Sequence, residues 1–233
     1  MTNTVDHHNT YQNDADRYEA LVSYEDYQNN ILPAITKTIS LEGLEVVELG
    51  AGTGRLTLML SPKVKSIKAF DISPNMLVVT RERLERAKLA NWQLGAADHR
   101  DLPVTSHTAD LVISGWSVCY LVDWYRQTWR AELDKAMAEI ERVLRPGGSL
   151  ILIETMGTGF ETPHPPEHLL GYYDYLKENG FSSTWIRTDY RFESLEQSEE
   201  LAHFFFGDAL AQEVRDKHWV VLPECTGFWW KRF

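Results

Sequence analysis

The chain has 233 residues, and 23 basic against 34 acidic side chains give it a formal net charge of −11 at neutral pH. Proteins that grip a nucleic-acid backbone carry a basic face, so this charge disfavours DNA or RNA as a substrate. No apolar run approaches the roughly 20 residues of a membrane-spanning helix, and the two cysteines match no metal-ligand spacing. We expect a globular protein without a metal site, in the cytoplasm because its polar N-terminal segment resembles no signal or transit peptide.

The N-terminal segment is predicted to be helical, because apolar side chains in residues 15–38 recur at mixed three- and four-residue spacing. We expect residues 1–40 to form a helical extension that closes over a site as a lid. Residues 41–233 are then the main globular domain, and no linker rich in glycine, serine or proline divides it.

Strands and helices are predicted to alternate through the centre of the chain. The apolar segments that predict strands are residues 44–50, 66–72, 91–97, 109–116 and 149–155. The segments that predict helices begin near Thr53, at Ser73-Pro74 and at Trp129. Continuous apolar strands separated by helices are typical of a parallel sheet covered on both faces. The predicted fold class is therefore α/β, doubly wound.

The C-terminal part has a different pattern. Residues 183–192 and 225–233 are predicted to be strands, and they flank a helical stretch around residues 194–217. We expect the two strands to form an edge of the sheet as a hairpin-like pair.

A glycine-rich turn follows the first predicted strand, with the sequence Glu48-Leu-Gly50-Ala51-Gly52-Thr-Gly54. Glycine is needed where a side chain would block a ligand from the backbone or where the turn requires positive φ. The helix that follows presents unpaired N–H groups to an anionic or polar ligand. The turn by itself indicates a nucleotide-type ligand, or simply tight packing between strand and helix.

Two acidic residues, one after the second strand and one after the third, narrow the choice of ligand. Asp71 ends the second strand, where a carboxylate can accept hydrogen bonds from both hydroxyls of a ribose. Asp98 follows the third strand, within reach of an adenine amino group. Ligands of open α/β sheets lie beyond the carboxyl ends of the strands. With Glu48 and Gly50 at the first strand end, these positions predict one elongated adenosine ligand.

Five segments in order resemble the successive motifs of one family. VVELGAGTGRLT, FDISPNML, AADHRDLP, ADLVISGW and RVLRPGGSLILIE look like those of class I methyltransferases that use S-adenosylmethionine (SAM). The resemblance covers roughly residues 40–155. It implies a Rossmann-like, mostly parallel sheet of seven strands with helices on both faces and the last strand antiparallel. It also implies SAM as cofactor and S-adenosylhomocysteine (SAH) as product.

The resemblance implies a contact with SAM for each matching position. The glycine turn would pack against the methionine part, Asp71 would bind the ribose, and Asp98 would meet the adenine. The other implied contacts are with adenine for Ile72, Met76 and the backbone of His99, and with the methionine part for Ala51, Ser114, Gly115 and Trp116.

A dinucleotide-binding oxidoreductase is the main competitor from another enzyme class. Its fingerprint, G-x-G-x-x-G, requires a third glycine where this chain has Arg55. The RPGG segment and the acid after the third strand do not belong to that fingerprint. The sequence therefore favours SAM over a nicotinamide cofactor.

The parts outside the resemblance supply the candidate substrate site. The segment after the fourth strand is rich in aromatic residues, and a long loop is predicted at residues 154–168. The residues predicted to contact substrate are Tyr18, Tyr24, Trp116, Tyr120 and Trp124. The candidate general bases are His164, His168, Glu154 and Tyr120. His164 is preferred because histidine titrates near neutral pH.

These residues predict a SAM-dependent methyltransferase that acts on an N or O atom of a small aromatic or apolar molecule. A tRNA or protein methyltransferase is an alternative that the negative charge disfavours. A SAM-binding protein without turnover is a second alternative.

Overall fold

The computed structural model describes Thr10 and residues 13–233. A sheet of seven strands organises it, in the order β3-β2-β1-β4-β5-β9-β6. The strands are β1 (Glu45–Leu49), β2 (Ser66–Asp71), β3 (Trp92–Ala96), β4 (Ala109–Gly115), β5 (Leu144–Thr158), β6 (Ser182–Arg187) and β9 (Glu224–Arg232). A separate ribbon pairs β7 (Tyr190–Arg191) with β8 (Val221–Leu222).

Helices connect these strands. They are α1 (Ala15–Val22), α2 (Ile31–Thr38), α3 (Arg55–Leu60), α4 (Pro74–Arg86), α5 (Tyr120–Trp124), α6 (Trp129–Val143), α7 (Leu170–Glu178), α8 (Leu195–Phe206) and α9 (Asp208–Lys217). Ser73 begins α4 as expected, since its hydroxyl accepts a hydrogen bond from the N–H of Met76. Within the described residues, no helix combines the length and apolar character needed to cross a bilayer.

Strand pairing confirms the predicted fold. β1 pairs in parallel with β2 and β4, β2 with β3, and β4 with β5. β9 runs antiparallel between β5 and β6. The doubly wound, mostly parallel sheet and its antiparallel last strand are therefore both present.

The two faces of the sheet carry separate apolar cores. Successive residues of one strand enter different cores: Val47 and Leu49 of β1 pack in one, and Val46 in the other. Leu152 and Ile153 of β5 divide in the same way. Because both faces are covered, the strands are continuously apolar rather than alternating.

The two C-terminal strands pair antiparallel at one side of the sheet, as expected, but their arrangement there is more complex than a simple edge pair. Of these two strands, β9 lies inside the sheet between β5 and β6, and β6 forms the edge on that side. The segment predicted as one strand, residues 183–192, breaks at Thr188 and Asp189. The Asp189 carboxylate accepts a hydrogen bond from the N–H of Glu224 at 2.9 Å, and the chain then leaves the sheet to form β7 with β8.

The fifth strand is longer than predicted. β5 starts at Leu144, directly after α6, and continues to Thr158. A register shift against β4 accommodates the RPGG segment. The expected loop at residues 154–168 is therefore shorter, and α7, which the sequence analysis did not identify, follows it.

The N-terminal segment is helical as predicted, with turns between α1 and α2. Ion pairs join α1 to distant elements: Glu19 pairs with Arg83 of α4 at 2.6 Å, and Arg17 pairs with Glu200 of α8 at 3.1 Å. Residues 1–9, 11 and 12 of the predicted lid lie outside the described residues.

Candidate functional site

A cavity of about 160 Å³ lies at the carboxyl ends of β1 to β4. We call it the strand-end cavity. Of the residues predicted to bind SAM, those that line it are Gly50, Gly52, Asp71, Ile72, Met76, Asp98, His99, Gly115 and Trp116. The structure thus brings together side chains from four strand ends, as expected of an open parallel sheet.

Four other predicted positions lie beside this cavity rather than in its lining. Glu48 is buried and accepts a hydrogen bond from the hydroxyl of Thr57 at 2.6 Å. Burial raises the pKa of Glu48 to about 8, so this carboxyl is largely uncharged at neutral pH. Ala51 and Ser114 are buried, and Gly54 immediately precedes α3. None of these four residues lines the strand-end cavity, and their contact with SAM stays a prediction.

The glycine turn is shaped both by packing and by open space. Gly50 has φ +65°, and a Cβ added there would lie 1.8 Å from Oγ of Ser117. Gly52 has φ +55°, and an added Cβ would meet only a ring carbon of Tyr18, at 3.7 Å. Glycine is therefore required at position 50 because Ser117 leaves no space for a side chain, whereas Gly52 leaves space that a ligand can fill.

Asp71 joins the end of β2 to the glycine turn. One carboxylate oxygen accepts a hydrogen bond from the N–H of Gly52 and the other from the N–H of Ser73, both at 2.8 Å. Burial raises the pKa of Asp71, against these two hydrogen bonds. Each oxygen keeps a second lone pair, so the carboxylate can also accept hydrogen bonds from two neighbouring hydroxyls.

Asp98 is held by Arg100, a residue that the sequence analysis did not single out. The guanidinium donates to both carboxylate oxygens, at 2.8 and 2.6 Å. These hydrogen bonds lower the pKa of Asp98. Arg100 also donates to the hydroxyl of Tyr125 at 2.8 Å and pairs with Glu132. Asp98 is thus a fixed, charged acceptor at the end of β3.

His99 presents a polar atom that lacks a partner. Its Nε2 lies 2.8 Å from Oγ of Ser117, whereas Nδ1 is buried and has no hydrogen-bond partner among the described residues. Removal from water lowers the pKa of His99 to about 4, although the Asp98 carboxylate opposes the shift. An uncharged imidazole with an unused nitrogen therefore lines the strand-end cavity, where a ligand can satisfy it.

His99 should make the protein sensitive to acid. Its pKa is about 4 in the folded state and about 6.5 in the unfolded chain. Below pH 6.5 the unfolded state binds the proton first, so stability falls as the pH drops towards 4, by up to about 3 kcal/mol. We expect urea titrations between pH 7 and 4.5 to show a shallower fall in unfolding free energy for His99→Gln than for the wild type. Parallel curves for the two proteins would contradict this assignment.

A second cavity, of about 870 Å³, adjoins the first. We call it the large cavity. Tyr18, Trp116 and Tyr120 line both cavities and form the boundary between them. Trp116 has φ +51°, which is unusual for a bulky side chain, and the guanidinium of Arg55 lies 3.9 Å from the centre of one of its rings.

The predicted substrate residues divide between boundary and periphery. Tyr18, Trp116 and Tyr120 are at the boundary, and Trp124 stacks on Tyr120 and lines the strand-end cavity. Tyr24 lines neither cavity. Its ring packs against Phe192, and its hydroxyl donates to Glu193. Tyr24 follows α1 and faces the segment before α8, so substrate contact by this residue is not supported.

The candidate bases are also separated by the structure. Tyr120 and His168 line the large cavity, and His168 lies 3.6 Å from a carboxylate oxygen of Asp123. His164 is exposed, stacks on Phe160 and lines neither cavity. It was the preferred base for its chemistry, but β5 continues to Thr158 and His164 lies outside both cavities.

Glu154 is fully buried and lines neither cavity. Its carboxylate accepts hydrogen bonds from the N–H of Cys119 at 3.2 Å and the hydroxyl of Tyr172 at 3.0 Å. Burial raises the pKa of Glu154 to about 7. Direct proton transfer with a substrate is therefore not supported for this residue.

Several residues that line the large cavity were not predicted from the sequence. They are charged or polar side chains from segments far apart in the chain: Glu25, Arg55, Tyr190 and Glu224. The only sequence feature that could have indicated any of these four as a site residue is the position of Arg55, directly after the glycine turn. In the residues that the structure covers, no group of three or more His, Cys, Asp or Glu side chains is arranged to hold a metal ion.

Comparisons with known proteins agree with this geometry. A family model described as a methyltransferase domain matches residues 47–152. A demethylmenaquinone methyltransferase of Staphylococcus aureus is 28% identical over 154 residues, which are 64% of this chain and 59% of that protein. A ubiquinone/menaquinone biosynthesis C-methyltransferase of Idiomarina loihiensis is 30% identical over 116 residues, 48% of this chain and 43% of that protein. The chain thus spans less than two thirds of the length of these relatives.

The fold has counterparts among solved structures. The crystal structure of a SAM-dependent methyltransferase from Aquifex aeolicus superimposes with a TM-score of 0.60 and 16% sequence identity, covering 93% of this chain and 95% of that chain. At this identity the likeness concerns the fold alone.

Proposed function

The chain belongs to the class I SAM-dependent methyltransferase family, and from this premise we propose that it transfers the methyl group of SAM to a small molecule in the large cavity. The observation that carries the proposal is the meeting of two cavities at Tyr18, Trp116 and Tyr120. A cofactor in one cavity then faces an acceptor in the other across this boundary.

SAM is the cofactor of the family, and the strand-end cavity fits its adenosine. Asp71 has lone pairs for the ribose hydroxyls, Asp98 has acceptor oxygens for the adenine amino group, and Nδ1 of His99 is free to make a hydrogen bond to the adenine. The open space at Gly52, beside Tyr18, suits the methionine part. When bound, SAM supplies an activated methyl group on a positively charged sulfur.

The chain's own residues then have to align the acceptor and exclude water. Attack in line with the breaking bond needs the acceptor atom at about 3–3.5 Å, in a site closed to solvent. Phe205, next to the turn between α8 and α9, packs against Tyr18 of α1 with ring centres 5.6 Å apart. We propose that α1 and these C-terminal helices together form the lid over the large cavity.

The acceptor that we propose is an N or O atom of a small aromatic or apolar molecule. The aromatic walls support this substrate class, and His168 beside Asp123 is positioned to receive a proton from a hydroxyl acceptor. A carbon acceptor is the second candidate, favoured by the similarity to proteins named as demethylmenaquinone and C-methyltransferases. The net charge of −11 disfavours tRNA.

The proposal is tested by binding and by turnover. Calorimetry should show that SAM and SAH bind, and incubation of the enzyme with methyl-tritiated SAM and a metabolite extract should yield a labelled product. Binding of SAM without any labelled product would instead favour a SAM-binding protein without turnover.

Asp71→Ala should weaken SAM binding by about ten- to hundredfold, because hydrogen bonds to a buried carboxylate are lost. Asp110→Ala is the matched control, since Asp110 lies at the opposite end of the sheet and pairs with Arg145. Calorimetric titration of both variants provides the measurement. Equal affinity of Asp71→Ala and the wild type would show that the ribose does not bind there.

A further inference from the structure

Two buried carboxylates line the large cavity, and its lining among the described residues includes one arginine and no lysine. Glu25 lies on the segment after α1, and Glu224 begins β9; their residue exposures are 9% and 2%. Glu25 pairs with Arg55 at 2.5 Å and accepts a hydrogen bond from Tyr190 at 3.1 Å. Glu224 accepts a hydrogen bond from the hydroxyl of Thr155 at 3.0 Å. All five of these residues line the cavity.

Each carboxylate has one oxygen without a donor. Oε1 of Glu25 and Oε2 of Glu224 are buried and make no hydrogen bond of normal geometry to any residue that the structure describes. The hydroxyls of Thr188 and Thr158 are near enough to lower the pKa of Glu25 and of Glu224, respectively. Buried polar atoms of native proteins are nearly always satisfied, so an unpaired acceptor on each of two residues that line one cavity indicates a missing donor. Both acceptors lie in segments that the methyltransferase family model does not cover.

We propose that Glu25 and Glu224 form a subsite for a positively charged, hydrogen-bond-donating group, such as a protonated amine, on the molecule that occupies the large cavity. This inference rests on the proposed function, because it identifies a feature of the methyl acceptor. The ammonium is a recognition group separate from the atom that is methylated, since a protonated nitrogen has no lone pair for attack.

The charge of the ionised cluster favours a cationic group over an anionic one. With both carboxylates ionised, Glu25, Glu224 and Arg55 sum to −1, and a ligand charge of +1 brings the cluster to zero. Buried charges are stable only when paired and hydrogen-bonded. The aromatic walls suit the rest of such a ligand, because ring faces attract cations and cover apolar surface.

The protonation state of Glu224 should depend on whether a cation is bound. Burial, followed by the nearby charge of Glu25, raises the pKa of Glu224 to about 8, and Arg55 opposes the shift. Tyr173, Tyr190 and Cys225 are the other titratable groups whose pKa values the charge of Glu224 raises. In the free protein at pH 7 the carboxyl therefore holds a proton, and arrival of an ammonium favours its release.

The test uses three probes of matched shape on the SAH-loaded protein: tryptamine, tryptophol and indole-3-propionate. We expect tryptamine to bind at least about tenfold more tightly than tryptophol and the anion to bind most weakly. Tryptamine titrations at pH 7 in phosphate and in Tris should differ in heat by the release of about one proton. This comparison uses the wild-type protein only and does not depend on any variant folding.

The matched variants are Glu224→Gln and Glu154→Gln. Glu154 is also a buried carboxyl with an unpaired oxygen, but it lines neither cavity. Glu224→Gln should lose about tenfold in tryptamine affinity together with the proton release, and it should keep its SAH affinity. Glu154→Gln should keep both affinities.

Three results would overturn the inference: no tryptamine binding, equal affinity for tryptamine and tryptophol, or unchanged tryptamine binding in Glu224→Gln. A loss of SAH affinity in Glu224→Gln would assign the subsite to the cofactor's own amino group and would also overturn it. In none of these cases is SAH binding by the wild type affected, so the proposed function would stand.

Discussion

Arg55→Met should lower the free energy of unfolding by about 3–5 kcal/mol, because it leaves a buried carboxylate without its cation. Arg55 makes the 2.5 Å ion pair with Glu25, whose side chain is only 3% exposed, and its guanidinium also covers Trp116. Methionine keeps the length and apolar surface of the side chain but not the charge. Urea unfolding at pH 7.5, followed by circular dichroism, measures the loss.

The control is the double variant Glu25→Gln with Arg55→Met. Removing both charges should restore more than half of the lost stability, because no buried charge is then unpaired. If the two single substitutions add without any coupling, the ion pair is not the source of the effect.

Gly50→Ala should weaken SAH binding by at least about a hundredfold, equivalent to about 2.8 kcal/mol. The new methyl group would lie 1.8 Å from Oγ and 2.2 Å from Cβ of Ser117, so the turn or the Ser117 segment has to move. Both line the strand-end cavity. Isothermal titration with SAH gives the change in affinity, and a thermal melt shows that the variant is folded.

Gly43→Ala separates the steric clash from backbone strain. Gly43 also has positive φ, +78°, but an added Cβ there meets nothing within 4 Å. This control should cost about 1–2 kcal/mol of stability and leave SAH affinity unchanged. Adding Ser117→Gly to Gly50→Ala removes the clashing atoms and should recover part of the affinity. A double variant as weak as Gly50→Ala would refute the steric explanation.

The sequence predicted the central fold well where a strand is buried on both faces. Such strands are unbroken apolar runs. The turns that follow them contain glycine or acidic residues that can be predicted to contact a ligand. Gly50, Gly52, Asp71 and Asp98 were therefore placed at the correct edge, because the direction of parallel strands fixes where their ends meet. Their roles in binding SAM remain predictions.

The sequence predicted less where tertiary contacts decide. His164 was preferred for its chemistry alone, and nothing local shows that β5 continues to Thr158 by pairing with β9. Glu25 and Glu224 are about 200 residues apart in the chain. Acidic residues are usually exposed, so neither position suggests burial until the fold brings both to one cavity.

The internal position of β9 has a consequence for biosynthesis. β9 follows every other strand of the sheet in sequence, yet it lies between β5 and β6. During translation, β1 to β5 can assemble as soon as they leave the ribosome, whereas β6 has no neighbour in the sheet until β9 emerges. Over that interval the nascent chain exposes one unpaired edge of β5, where a chaperone or a second polypeptide can bind.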